Sequence, residues 1–183
     1  MLEEHPIVVV GAGPCGSFAA QTIARQHIPV TVFEEHSTIG LPSHCAGHVG
    51  IKGLMKVGMK VPDDIVENRI RGAKFYSPKG HELILDHGSA ITYVLDRAKF
   101  DLWLADQARR YGVNYFLNSR VRSLTFDKGR PKLRVEGFDH DRELTYNLVV
   151  NAGGYPARLL RTKDLTAAHP SMTVNGVSAQ VDN

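Results

Sequence analysis

Two spacings of apolar positions divide this chain. Ile7 to Val10 is an unbroken apolar run between Pro6 and Gly11, the pattern of a short strand buried on both faces. Residues 18–26 are rich in Ala and free of Pro and Gly, and predict a helix. A second, β-branched run over residues 30–33 stops at Glu34. Residues 73–77 and 81–85 are extended stretches on either side of Pro78-Lys79-Gly80, a turn signal. Ile91, Tyr93 and Leu95 alternate as a strand does. No helix separates these stretches, so they predict an antiparallel sheet projecting from a parallel core. Asp96 suits a helix N-cap, and Phe100, Leu102, Leu104, Ala105 and Ala108 give the apolar part of a helix ending near Tyr111-Gly112.

Residues 113–117 predict a strand that returns to the parallel sheet. Residues 121–126, 132–135 and 143–146 predict a meander, with turns at Asp127-Lys128-Gly129 and Asp139-His140-Asp141. Residues 148–150 are the last parallel run. Between these elements, residues 36–53 hold four glycines, a proline and three histidines and read as a loop. Residues 54–70 show no clear stripe.

The first two strands frame a motif. Gly11, Gly13 and Gly16 stand in the spacing G-x-G-x-x-G, directly after a strand and at the start of a helix. Gly11 allows the tight turn, Gly13 lets a pyrophosphate approach the backbone, and Gly16 lets the helix sit close to the strands. The helix N-terminus offers N–H groups and a positive dipole end to phosphates. Glu34, at the end of the second strand, is placed to accept hydrogen bonds from both ribose hydroxyls. It disfavours a 2′-phosphate, so the expected ligand is NAD or FAD rather than NADP.

Composition narrows the class further. A chain of 183 residues with 43% hydrophobic and 22% charged residues suits one good core and part of a second domain. A net charge of +3 is too small to argue for nucleic acid. The start, MLEEHP, carries two acids and no long apolar run, unlike a signal peptide. Cys15 and Cys45 form no metal or redox pair by spacing, which suits reduced thiols in the cytoplasm. His36, His44, Cys45 and His48 do not match usual zinc spacing, so no metal is expected.

GAGPCGSFAA followed by VFEEHSTIGLPSHCAGHV resembles the N-terminus of the geranylgeranyl reductase family. The family pattern runs G-x-G-P-x-G-S, an acid, I-G-x-P and C-A-G, and the C-A-G is its most discriminating part. DRAKFDLWLA is similar to the family's D-R-x-x-F-D-x-x-L-A segment, which aromatic hydroxylases share. The resemblance implies a Rossmann-like FAD-binding α/β fold of the glutathione-reductase-like type, with an antiparallel meander and the beginning of a substrate-binding sheet. It implies FAD contacts from Gly11, Gly13, Cys15, Gly16, Glu34, Cys45, Ala46, His48, Arg97 and the backbone near Val121. A cation fits poorly at a helix start, which favours an anionic partner for Arg97. Cys45 is the candidate for a chemical role beside the flavin.

The implied activity is reduction of carbon–carbon double bonds in geranylgeranyl lipids, with a separate electron donor such as NADPH or a ferredoxin-like protein. The implied location is cytoplasmic, with peripheral contact at a membrane surface. An aromatic-hydroxylase-type monooxygenase or halogenase, and a non-catalytic nucleotide-binding module, are the alternatives. Two departures stand out. Gly153 and Ala157 occupy positions where the family has Asp and Ser, although Arg158 and Arg161 keep the basic character. No G-D-A motif occurs, and TVNGVSAQVDN resembles the first strand of a substrate domain. The expected division is therefore an FAD-binding domain over residues 1–161 and the start of a truncated second domain over 162–183.

Overall fold

The structure, a computed structural model, describes residues 6–43, 45–137 and 141–154. In chain order the elements are β1 (Ile7–Val10), α1 (Pro14–Ala24), β2 (Val30–Phe33), β3 (His48–Gly50), α2 (Ile51–Lys56) and a single 3-10 turn (Asp63–Ile65). Then come β4 (Val66–Ile70), β5 (Gly72–Tyr76), β6 (Glu82–Asp86), β7 (Thr92–Leu95) and α3 (Arg97–Arg109). The last are β8 (Asn114–Phe116), β9 (Arg120–Asp127), β10 (Arg130–Glu136), β11 (Arg142–Thr145) and β12 (Leu148–Asn151).

The described residues divide into two compact units, 6–41 with 101–154, and 42–100. This division inserts residues 42–100 as a unit of their own within the stretch expected to be one domain. The expected boundary at 161/162 lies outside the described residues, as do Asp139, His140, Ala157, Arg158, Arg161 and the TVNGVSAQVDN stretch.

The first unit is built on a parallel sheet in the order β12-β1-β2-β8. Ile7 pairs with both Leu148 and Val30, and Phe33 pairs with Phe116. Alternate side chains on a strand point to opposite faces, so one strand feeds two cores. On one face Val9, Val30 and Val32 cluster with Ala20 and Ala24 of α1 and Ala105 and Ala108 of α3. Alanine is the side chain on both helices at the contact, so the backbones can come close to the sheet. On the other face Val8, Val10 and Phe33 cluster with Leu124, Leu133, Val135 and Tyr146. These last come from the antiparallel meander β11-β10-β9 and its exit. Strands covered on both sides are mostly apolar, which is why β1 and β2, with Thr31 as their one polar residue, lack the alternation of a half-exposed sheet.

α1 begins at Pro14, four residues before the predicted start, because Gly13 takes the N-cap position and Pro14 the first helical turn. Proline has a fixed φ suited to that place and no N–H to lose there.

The second unit holds a three-stranded antiparallel sheet, β3-β7-β4, and a separate hairpin, β5-β6. The strand around residues 91–95 therefore does not extend the 73–85 hairpin; it lies between β3 and β4. Residues 48–53, read as loop from their glycines, form β3 and the start of α2 instead. Their structure rests on pairing with β7, His48 opposite Val94 and Gly50 opposite Thr92, which no local pattern announces. Register places Ala73 opposite Leu85 and Phe75 opposite Leu83 on one face of the hairpin. That face is wholly apolar, and Phe75, Leu83 and Leu85 are all more than half exposed. The other face carries ion pairs, Lys74 with Glu82 at 3.9 Å and Arg71 with Asp86 at 3.1 Å.

Asp96 caps α3 as its sequence position predicts. Its Oδ1 accepts the Lys99 N–H at 3.0 Å, and its Oδ2 lies 3.3 Å from Lys99 Nζ. The Lys99 backbone hydrogen bond holds the Asp96 carboxyl below its ordinary range.

Candidate functional site: a glycine turn closed by an acid

The turn between β1 and α1 is shaped by two close approaches. Gly11 has φ +97°, and a Cβ there would meet the Ala152 carbonyl oxygen at 2.6 Å. A Cβ at Gly16 would lie 1.9 Å from the Gly11 carbonyl oxygen. Both neighbours are backbone atoms, so neither can give way. The residue just past the end of β12 and the first turn of α1 thus bear on the same residue, and only hydrogen fits at either position.

Gly13 is different. A Cβ there would meet nothing within 4 Å, so the space in front of its backbone is open. α1 starts at that point with no side-chain cap and no acid in its first turn. An uncapped helix start with open space before it suits a phosphate group, by hydrogen bonding and by dipole. The residues present fit the pyrophosphate of a dinucleotide. Cys15, in the first turn of α1, is exposed. Ser17, fully buried, donates its hydroxyl to the Ala12 carbonyl at 3.1 Å and ties the helix back to the turn.

Glu34 closes the turn from β2. It is almost buried, and its Oε2 accepts the Ala12 N–H at 2.7 Å. Its Oε1 accepts the His36 N–H at 3.0 Å and lies 2.6 Å from His36 Nδ1. Backbone bonds hold it in place: Gly11 N–H to the Phe33 carbonyl at 2.8 Å, Glu34 N–H to the Phe116 carbonyl at 2.9 Å, and Ser119 N–H to the Glu34 carbonyl at 2.7 Å. The last of these brings in the residues just before β9. Val121 follows there, half-buried, paired with Val135 and set against the second core cluster. Next to Glu34, Glu35 pairs with Arg120 at 3.0 Å.

Gly11, Gly13, Cys15, Gly16, Glu34 and Val121 therefore fall in one unit, and hydrogen bonds join the turn, the acid and the β8–β9 junction. Cys45, Ala46, His48 and Arg97 fall in the other. There Cys45 and Ala46 are exposed, and the Leu95 N–H bonds the Gly47 carbonyl at 3.0 Å. His48 Nε2 lies 2.6 Å from Thr92 Oγ1, and Arg97 opens α3, half-buried. Sequence reasoning missed His36, Ser17 and Ala152. His36 had a local signal, standing two residues beyond the acid. Ala152 had none, because its contact with Gly11 depends on a strand pairing across the whole unit.

Strand, glycine turn, uncapped helix, strand and a buried acid bonded to the turn define a dinucleotide-binding protein of the flavoprotein kind. The chain belongs to the pyridine nucleotide-disulphide oxidoreductase family, whose model matches residues 5–178. Its cofactor is FAD. The likeness to geranylgeranyl reductases read from the motifs is met in the comparisons. The chain is 34% identical over 163 residues to digeranylgeranylglycerophospholipid reductase 2 of Methanopyrus kandleri, covering 88% of this chain and 40% of that protein. It superposes on a geranylgeranyl bacteriochlorophyll reductase-like protein of Thermoplasma acidophilum with a TM-score of 0.82 and 26% identity, over 91% of this chain and 44% of the other. A p-nitrophenol 4-monooxygenase of Pseudomonas putida shares the fold, with a TM-score of 0.69 at 19% identity, over 82% of this chain and 41% of the other. The chain spans about two fifths of the length of the curated relative it matches.

Proposed function

We propose that the chain is the cofactor-binding part of an FAD-dependent reductase that saturates carbon–carbon double bonds of geranylgeranyl lipids in archaeal-type lipid synthesis. The similarity to the Methanopyrus kandleri reductase carries this reading, since it extends over 88% of the chain. The apolar exposed face of Phe75, Leu83 and Leu85 supports it, being the kind of surface an isoprenoid chain can lie against without loss.

FAD, when bound, supplies hydride transfer. In this reading the backbone at Gly13 and the start of α1 hold its pyrophosphate, and Glu34 accepts from its adenosine ribose. The Ala12 N–H orients the carboxylate, and Ser17 keeps Ala12 in place. Saturating one double bond takes two electrons and two protons, delivered as a hydride and a proton. A separate donor, NADPH or a ferredoxin-like protein, supplies the electrons, and the substrate's lipid nature sets the reaction at the cytoplasmic membrane surface.

The test is anaerobic incubation of the full-length protein with a reductant and a geranylgeranyl lipid, followed by mass analysis. A gain of 2 mass units per bond is the expected result, from the addition of two hydrogens. An oxygen-dependent gain of one oxygen atom on an aromatic substrate would instead favour the monooxygenase reading. Replacing Glu34 by Ala should weaken FAD binding by about 1–3 kcal/mol, the worth of hydrogen bonds to a charged group. Unchanged affinity would remove Glu34 from the site.

A further inference from the structure

The Glu34 carboxylate is nearly saturated by the protein itself. A carboxylate offers about four lone-pair directions. One on Oε2 is taken by the Ala12 N–H at 2.7 Å. Both on Oε1 are taken by His36, through its backbone N–H at 3.0 Å and its ring Nδ1 at 2.6 Å. A carboxylate oxygen only accepts, so Nδ1 carries the hydrogen of that bond. One direction remains, on Oε2, while a ribose diol brings two hydroxyls.

The three protein donors are not equally fixed. Ala12 lies in the turn, between Gly11, which bonds Phe33, and the helix. The His36 backbone is held by its carbonyl, which accepts the Asn118 N–H at 3.0 Å. The His36 side chain is about half exposed, at 48%, whereas that of Glu34 is 11% exposed. Of the three donors, the imidazole alone can rotate away without breaking backbone structure. The adjacent Glu35 is paired with Arg120.

We propose that His36 sets the affinity of this site for FAD by competing with the adenosine ribose for Oε1 of Glu34. This rests on the reading of Glu34 as the ribose acceptor. With the ring in place Glu34 can take one hydroxyl; to take both, the Nδ1–Oε1 bond must first be given up. The ring therefore holds the empty site closed and weakens the filled one.

The test uses the full-length protein, stripped of flavin and titrated with FAD by fluorescence quenching. His36→Ala removes the ring but keeps the backbone N–H. It should bind FAD about 3- to 10-fold more tightly, the net value of one hydrogen bond. His36→Phe keeps the ring volume without the donor and should gain similarly, which guards against an effect of lost packing. In a Glu34→Ala background the gain from His36→Ala should vanish, a result that a merely structural histidine would not give. Unchanged or weaker binding in both His36 variants, with Glu34→Ala still weakening FAD, would overturn this inference alone. Unchanged affinity in Glu34→Ala would overturn the ribose reading and this inference with it.

Discussion

Gly16 faces the carbonyl oxygen of Gly11 so closely that a Cβ at Gly16 would lie 1.9 Å from it. The first turn of α1 and the glycine turn before it are thus in backbone contact, and the contact exists because position 16 has no side chain.

Gly16→Ala should accordingly destabilise the first unit by about 3 kcal/mol or more, since the clash is with backbone and overpacking of even one methyl is costly. Thermal unfolding measures it. An unchanged midpoint would mean that the turn relaxes in a way its hydrogen bonds do not allow.

Leu133, fully buried in β10 opposite Leu124, fills the core between the meander and the parallel sheet. Leu133→Ala should cost about 2–5 kcal/mol, transfer energy and cavity together. Denaturant unfolding reads this directly, and a loss under about 1 kcal/mol would place the residue outside a packed core.

Tyr146 is buried beside Phe33, with ring centroids 6.5 Å apart. Burial pushes its phenol up to about 12. The folded state therefore keeps a proton that the unfolded state releases near its ordinary value of 10.0, so stability falls as pH rises between these values. Tyr146→Phe should flatten that fall while leaving neutral stability little changed. Absorbance titration should show one fewer late-ionising phenol in the variant than in the native protein, where burial also raises Tyr115; a native titration complete near pH 10 would contradict it.

Asp96 is an acid held below its ordinary value of 3.8, chiefly by the Lys99 N–H. Its contribution is present above that value and lost as pH falls through the lower folded one. Asp96→Ala should cost about 1 kcal/mol at neutral pH, as for other N-caps. Asp96→Asn should keep most of the cap and lose the acid dependence. Equal unfolding midpoints for wild type and both variants at neutral pH would show the cap to be unimportant.

Much of this was written locally. The strand–turn–helix–strand–acid order of residues 7–34 follows from periodicity, glycine spacing and the position of one carboxylate, because each of those steps depends on near neighbours. The Asp96 cap is likewise a local matter. β3 and α2 were hidden because their glycine-rich segment has no period of its own and is ordered by β7. The occupancy of Glu34 was also out of reach: the sequence places an acid at the strand end, but not the imidazole two residues later turned back upon it. For the same reason the motif suggested room for two hydroxyls where the structure leaves one lone-pair direction free.

The sheet order β12-β1-β2-β8 puts the first strand made in the centre and one of its two neighbours far along the chain. Ile7 waits for Leu148, and Gly11 for the carbonyl of Ala152 that it lies against. On the ribosome, synthesis of the intervening chain of about 140 residues takes roughly 7–30 s, at the usual rate of elongation. Through that interval Val8, Val9 and Val10 have one flank without a strand, and for most of it the meander that covers Val8 and Val10 is also still to come. The nucleotide turn is encoded first and completed late. Nascent chains paused before residue 148 should therefore recruit chaperones and fail to retain flavin, while those with β12 outside the exit tunnel should not.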